Sequence, residues 1–318
     1  MKILFLATAF NGMAQRAWIE LDRLNHQVKV QIASGAEAML QAVEAFQPEL
    51  IIAPFLKTKI PEHIWKNHLC LVIHPGVPGD RGAASLDWAI LNRKPEWGVT
   101  ILQAAEKMDA GAIWASGAFP MREASKACLY RHEVTQTAMT CLLKAVENVQ
   151  TPGFQPAPLD YSDPLVTGTW NRSTQQADYQ FSWTDDPADI LRKLRAADSD
   201  PGVLLQLGNM EFFAFGGHPE EQLRGAPGQI IAQRAKAISI GAGSKALWIT
   251  HLKAHEPGAV KLPALLALGA GAEQIPADEC SPFAVTTAAT FREIRYEERG
   301  DVGYLQFDYY NGDMDTDQ

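Results

Sequence analysis

The feature that most constrains this chain is a repeated alternation near its start. Residues 2 to 10 form a continuous apolar run, after which Ala14, Ala17, Trp18, Leu21 and Leu24 recur at helical spacing. The alternation returns with Val28, Val30 and Ile32 followed by Leu40, Val43 and Phe46, and again with ELIIAPF at 49 to 55 and CLVIH at 70 to 74. Strands read as near-continuous apolar runs when helices cover both faces of a sheet. The expected class is therefore α/β with a doubly wound parallel sheet. Such sheets bind ligands beyond the carboxyl ends of their strands, where Asn11, Phe55 and His74 fall. Runs at 98 to 104 and 112 to 119 add strands, and 129 to 149 reads as a long helix closing a first domain over residues 1 to 150.

The periodicity then fails. Pro152, Pro156, Pro158 and Pro164 accumulate, so 151 to 180 reads as a linker. A second domain is expected over 181 to 254. It opens with the helix DPADILRKLRAAD, capped by Asp185 or Asp186 ahead of Pro187 and stopped near Pro201 and Gly202. The short strands VLLQL, EFFAF, GQIIAQ, AISIGA and ALWITHL follow, separated by glycine-bearing turns, the pattern of a small barrel or sandwich. Residues 255 to 290, rich in Ala, Gly and Pro, read as another linker. Residues 291 to 318 begin with two strands around a Gly300-Asp301 turn. A lone hairpin is at best marginally stable, so a further unit is expected to start there.

Charge and cysteine usage exclude several roles. The net charge of -9 argues against a long nucleic-acid track or an anionic membrane surface as the main partner and leaves room for a local basic pocket that takes a phosphate. No apolar stretch approaches the roughly 20 residues of a membrane span, and MKILFLATAF lacks a small-residue cleavage site, so it reads as a buried strand. Cys70, Cys128, Cys141 and Cys280 show neither CxxC spacing nor the density of a disulfide framework, which fits a reducing cytoplasm.

Two residues stand out for chemistry. His74 sits at the mouth of the glycine- and proline-rich loop VIHPGVPGDRG, and Asp109 occupies the turn Met108-Asp109-Ala110-Gly111 between two expected strands. Taken singly, the histidine suits a packing role, and the aspartate suits a turn that bonds its own backbone. Together they form an acid/base pair, provided both loops meet at one sheet edge. No metal is expected: His63 with His68, His132 with Glu133, and His251 with His255 lack an HExxH or CxxC context. Ser85 and Ser116 lie outside a GxSxG elbow, which excludes a serine hydrolase of that type. TAFNGMAQR has a single glycine and is no dinucleotide fingerprint. Its helix start, with Asn11, Gln15 and Arg16, suits a phosphate and equally suits a solvated helix end.

At this point a resemblance becomes specific. RGAASLDWAILNRKPEWGVTILQAAEKMDAGAIW, residues 81 to 114, resembles the core segment of the 10-formyltetrahydrofolate-dependent formyltransferases, whose pattern runs Arg-Gly-Ala-Ala, a helix, Gly-Val-Thr, then Asp-x-Gly. IIAPFLKTKIP at 51 to 61 is similar to the strand and loop that wall the folate pocket, and KLRAADSDPGV with the strands after it resembles the OB-like C-terminal domain of methionyl-tRNA formyltransferase. The resemblance implies catalysis by His74 and Asp109, folate contacts from Phe55, Leu56, Lys57, Arg81, Gly82, Gln103 and Gly111, and 10-formyltetrahydrofolate as donor. The catalytic trio of these enzymes is Asn-x-His with a distant Asp, and here the asparagine position holds Val72. HPGxxGDRG with an aliphatic residue two before the histidine looks like the HypX/HoxX family of hydrogenase maturation proteins, in which a formyltransferase-like half precedes an enoyl-CoA-hydratase-like (crotonase) half. YEERGDVGYLQFDYYNGDMDTDQ resembles the opening strands of that second half.

What the resemblance implies is formyl transfer to coenzyme A and small-molecule substrates, with carbon monoxide release by the missing half for the nickel-iron site of hydrogenase; the helix start at Asn11, Gln15 and Arg16 is then the candidate for CoA or phosphate. Losing an amide donor to the oxyanion costs about 3 to 4 kcal/mol in other acyl-transfer enzymes, and Val72 cannot supply one. A thiolate is available at neutral pH and strongly nucleophilic, so Val72 counts more against an amine acceptor than against a thiol. The rivals are a methionyl-tRNA or amino-sugar formyltransferase and a non-catalytic folate- or CoA-binding module. A tRNA partner requires a basic surface, whereas residues 168 to 254 carry nine Lys plus Arg against nine Asp plus Glu.

Overall fold

The computed structural model describes residues 1 to 270, 272 to 280 and 289 to 307. The chain divides into two compact units, Met1–Thr174 and Gln175–Gln318.

The first unit is built on a six-stranded sheet of order β2-β1-β3-β4-β5-β6. β1 (Lys2–Ala7) is buried from its second residue onward. Helix α1 (Gly12–Arg23) starts where the Asn11 side chain accepts from the Ala14 N–H, and it buries Met13, Ala14, Ala17 and Leu21 on one face. Edge strand β2 (Gln27–Ile32) carries polar residues at every second position and stays partly exposed. Helix α2 (Ala36–Phe46) turns Met39, Val43 and Phe46 onto Leu4, Leu6 and Ile51, and ends at Gln47 in the left-handed region. β3 (Leu50–Ala53), short helix α3 (Glu62–Asn67) and β4 (Cys70–His74) complete the parallel part, since β1 pairs in parallel with β2 and β3, and β3 with β4.

The expected parallel order stops at β4. β5 (Glu96–Gln103) runs antiparallel to β4, with Leu71 opposite Gln103 and His74 opposite Thr100, and β6 (Ile113–Pro120) runs antiparallel to β5. The sheet is therefore mixed. A parallel return needs a crossover that carries the chain back along the sheet. The connection that carries helix α4 (Ser85–Leu91) instead stays at the end of β4, where Trp97 and Thr100 bond back to the Pro75 and Gly76 carbonyls, so the chain re-enters the sheet beside His74 and runs the other way. The closing helix expected over 129 to 149 comprises α5 (Lys126–Leu129), a π-helical segment (Tyr130–Val134) and α6 (Thr135–Gln150), the last tied to β6 by Asn148 Nδ2 donating to the Trp114 carbonyl.

The stretch expected as a linker from 151 belongs with this unit as far as Thr174. Ala157 pairs with Ile113, and Trp170 with Arg81. Proline richness marked irregular backbone correctly. It did not mark a free connection, because irregular backbone can still bond across to a loop.

The second unit begins with α7 (Gln176–Tyr179) and α8 (Pro187–Ala197), whose cap is Asp186, accepting from the Ala188 N–H at 2.8 Å. Strands β7 (Val203–Leu207), β8 (Met210–Glu220), β9 (Ile230–Arg234), β10 (Ala237–Ala242) and β11 (Lys245–Ala254) form an antiparallel sheet of order β7-β8-β11-β10-β9, and β12 (Lys261–Pro263) pairs with β11. This path does not close on itself among the described residues. Trp248 is fully buried and donates its Nε1–H to Glu220, which also accepts from the Gln222 and Leu223 N–H groups and from Thr290. The expected linker 255 to 290 also packs on this sheet where it is described: α9 (Ala264–Leu268) follows β12, Ala277 pairs with Gln233, and Asp278 forms an ion pair with Arg234. Strands β13 (Ile294–Arg299) and β14 (Val302–Phe307) form the expected hairpin as a separate two-stranded sheet, with Tyr304, Leu305 and Phe307 exposed. Residues 308 to 318 of the expected further unit lie outside the described residues. No helix among the described residues is long and apolar enough to cross a membrane.

His251 gives the second unit a pH dependence. Burial, reinforced by Lys261 and opposed by Asp198, pushes its pKa from 6.5 down to about 4. Between those values the unfolded chain binds a proton that the folded unit refuses, so stability falls as pH drops through this window. Melting temperatures measured from pH 7 to pH 4 should fall less steeply in His251→Gln than in the parent; parallel curves would contradict this.

Candidate active site

His74 is the last residue of β4 and is 4% exposed. The chain leaves the strand there, and a set of backbone-directed bonds shapes the loop that follows. Ser85 Oγ and Trp97 Nε1 both donate to the Pro75 carbonyl, at 2.7 and 2.9 Å, and Thr100 Oγ1 donates to that of Gly76 at 2.8 Å. The Asp80 N–H closes a turn onto the Val77 carbonyl at 2.9 Å, and Gly79 takes a φ of 88° that favours glycine.

The loop delivers a carboxylate to the histidine. His74 Nε2 and Asp80 Oδ2 are 2.9 Å apart, and Asp80 is 1% exposed. A carboxylate accepts, so the proton of this contact is assigned to Nε2 of the ring. Nδ1 then faces the other side, where Asp109 Oδ1 lies 3.7 Å away. Asp109 reaches this position although its turn leaves the sheet beyond Gln103, opposite Leu71. It adopts a left-handed φ of 53°, and its Oδ2 accepts the Gly82 N–H at 3.1 Å, while Arg81 Nε donates to the Met108 carbonyl at 2.9 Å. The two loops thus meet, as a shared acid/base site requires.

Close packing surrounds the pair. A Cβ on Gly76 would lie 2.4 Å from Asp80 Oδ2 and 2.5 Å from His74 Nε2. A strap formed by residues 161 to 171 presses on the loop from outside. Tyr161 Oη donates to the Gly79 carbonyl at 3.1 Å, the Gly168 N–H to that of Pro78 at 2.9 Å, and the Arg81 N–H to that of Thr169 at 3.2 Å. Asn171 Nδ2 lies 3.4 Å from Asp80 Oδ1, so both oxygens of this buried carboxylate face donors.

The other expected residues fall into three places. Arg81, Gly82, Gln103 and Gly111 gather at Asp109, and Gly111 is so close to the Gln103 carbonyl that a Cβ would lie 1.8 Å from it. Phe55, Leu56 and Lys57 are stitched to the end of β1, because the Thr8 N–H donates to the Phe55 carbonyl and the Lys57 N–H to Thr8 Oγ1; the Phe55 ring meets Tyr130 edge-on at 6.5 Å. At the start of α1, Asn11 serves as the cap, Gln15 Nε2 donates to the Phe10 carbonyl, and Arg16 donates to Gln136 and pairs with Glu20. Val72 lies two residues before His74 on the same face of β4 and offers no donor there. Among the described residues no group of three or more His, Cys, Asp or Glu could hold a metal ion.

Reading the residues missed Asp80 and Asn171. Asp80 lay within the quoted loop, six residues after His74, and a carboxylate between glycines in such a loop was the available signal. Asn171 carried no local signal, since it reaches the site only through tertiary packing.

The model named Formyl transferase matches residues 12 to 146, and that named Formyl transferase, C-terminal domain, matches residues 174 to 267. The chain is 39% identical over 317 residues to the hydrogenase maturation factor HoxX of Bradyrhizobium diazoefficiens, covering 99% of this chain and 54% of that protein. It is similar to the crystal structure of HypX from Aquifex aeolicus in complex with tetrahydrofolic acid, with a TM-score of 0.94 and 41% identity, over 100% of this chain and 56% of that one. A methionyl-tRNA formyltransferase of Dechloromonas aromatica is 26% identical over 261 residues, 80% of this chain and 82% of that protein. The chain thus spans about half the length of HoxX and HypX.

The packing around the pair makes a stability prediction. In Gly168→Ala the new Cβ would sit 1.9 Å from the Asp80 backbone nitrogen, so the strap must shift, and a loss of about 1 to 3 kcal/mol is expected. Gly12→Ala, which meets nothing within 4 Å, should leave thermal unfolding unchanged or slightly improved. Equal melting temperatures for Gly168→Ala and the parent would contradict the strap's role.

Proposed function

The chain belongs to the formyl transferase family, and from that premise we propose that it moves the formyl group of 10-formyltetrahydrofolate onto the thiol of coenzyme A. The observation that carries this reading is the meeting of His74 with Asp109 across 3.7 Å, beside the Arg81, Gly82 and Gly111 positions that resemble a folate site. The crystal structure of the similar HypX in complex with tetrahydrofolic acid supports the donor.

The chemistry follows from the ring's orientation. With Nε2–H committed to Asp80, the ring in its neutral form offers Nδ1 as an acceptor. Nδ1 takes the thiol proton as sulfur attacks the formyl carbon. The resulting imidazolium is stabilised by Asp109, and its proton passes to N10 as the carbon–nitrogen bond breaks. The products are a formyl thioester and tetrahydrofolate, with no net proton released. Val72 fits this acceptor: a thiolate needs less oxyanion help than an amine does, and no amide stands two residues before the histidine.

Phe55, Leu56, Lys57 and Gln103 complete the folate pocket in this reading, and Asn11, Gln15 and Arg16 hold a CoA phosphate. In this reading the antiparallel strands of the second unit correspond to the OB-like domain of the family. The chain is the formyl-transferring half of a longer cytoplasmic protein of hydrogenase maturation. Its crotonase-like half starts near the 294 to 307 hairpin and releases carbon monoxide from formyl-CoA. The balance of nine basic and nine acidic residues over 168 to 254 weighs against tRNA as acceptor.

The test is to incubate the chain with 10-formyltetrahydrofolate and, in parallel, CoA, initiator methionyl-tRNA or an amino sugar, and to identify products by mass spectrometry. Formyl-CoA is the expected product. Formylation of another acceptor but not CoA overturns the reading, and folate binding without any formylation favours a non-catalytic module. Asp109→Asn should lower transfer about 100-fold or more with a nearly unchanged melting temperature; a large loss of melting temperature in that variant would assign Asp109 to the fold instead. His74→Ala should lower transfer at least as much and also lower the melting temperature, because it leaves the buried Asp80 carboxylate without its ring partner.

A further inference from the structure

We infer that Asp80 is the positioning residue of this site, fixing which ring nitrogen of His74 faces the reacting groups. The inference rests on the proposed reaction and extends it to residues outside the family's catalytic trio. Four observations carry it. The Asp80 carboxylate is buried against His74 Nε2 at 2.9 Å. Its other oxygen meets the Asn171 amide at 3.4 Å. Gly76 leaves room for the contact, where any side chain would intrude on both partners. The strap crosses Asp80 through Gly168, so closely that no other residue fits there without movement.

A carboxylate held in this way does more than fill space. An imidazole has two neutral tautomers, and only the one with hydrogen on Nε2 leaves Nδ1 able to accept a proton on the Asp109 side. Asp80 selects that tautomer and stabilises the imidazolium formed during transfer, the part a buried aspartate plays in hydrolase triads. The orienting work thus comes from a residue six positions after the histidine, in a site where Val72 replaces the asparagine of the trio. Asn171 supports it from the strap.

The experiment compares the full chain with Asp80→Asn, which keeps the shape of the side chain but can turn a donor toward Nε2. The kcat for formyl transfer should fall about 10²- to 10⁴-fold, while KM for 10-formyltetrahydrofolate stays within about 3-fold. Independently of activity, 15N spectra of histidine-labelled protein should show His74 protonated on Nε2 in the parent and no longer so in Asp80→Asn. A parent spectrum with the proton on Nδ1, or a variant with unchanged kcat and ring spectrum, overturns the inference. If the parent transfers no formyl group but its ring spectrum depends on Asp80, the reaction reading fails while the positioning stands. Should Asp80→Asn not fold, Asn171→Leu serves instead: it leaves the carboxylate in place, and a loss in kcat of about 3- to 10-fold with unchanged KM is expected, an unchanged kcat counting against the inference.

Discussion

The site in the first unit depends on one buried contact, that between His74 and Asp80. A carboxylate withdrawn from water costs several kcal/mol unless its oxygens are fully engaged. Here the requirement is met by the ring N–H on one oxygen and the Asn171 amide on the other. Much of the local architecture serves that arrangement. The loop turns tightly enough to bring Asp80 back over the strand end, Gly76 and Gly168 remove the side chains that would stand in the way, and the strap covers the whole.

The mixed sheet supplies the other half of the site. Its parallel strands end together, which places His74 and the segment of Phe55 to Lys57 at one edge, as open α/β sheets place their ligand sites. The antiparallel reversal at β5 has a different consequence. It sends the β5–β6 connection away from that edge, so Asp109 reaches His74 only through a loop that folds back and is fastened by Gly82 and Arg81. The site therefore joins two topologies, and the segment from Arg81 to Gly111 carries both fastening points.

Legibility in the sequence followed the range of the forces involved. The apolar runs of β1, β3 and β4 and the helical spacing of α1 and α2 are local patterns, and they appear where expected. His74 and Asp109 were legible as residue types in loop contexts, and their resemblance to a known pattern paired them. The reversal at β5 was not legible, because a buried apolar strand reads the same in either direction and its direction is set by the tertiary bonds that hold the connection at the end of β4. The linkers at 151 to 180 and 255 to 290 were misjudged for a related reason. Pro-rich and Ala/Gly-rich stretches lack periodicity, yet Ala157, Trp170, Ala277 and Asp278 all bond to residues far away in sequence. Asp80 stood in plain view, but its partner could be recognised only once the loop had a shape.

On the proposed reading, the formyl group is received between His74 and Asp109. A crystal structure of the chain with a non-transferring 10-formyltetrahydrofolate analogue tests it most directly. N10 and the formyl carbon are expected within about 3 to 3.5 Å of His74 Nδ1 or Asp109, with Nε2 still bonded to Asp80. An analogue bound with its formyl group more than about 6 Å from both residues, beyond the reach of even one bridging water, would contradict it.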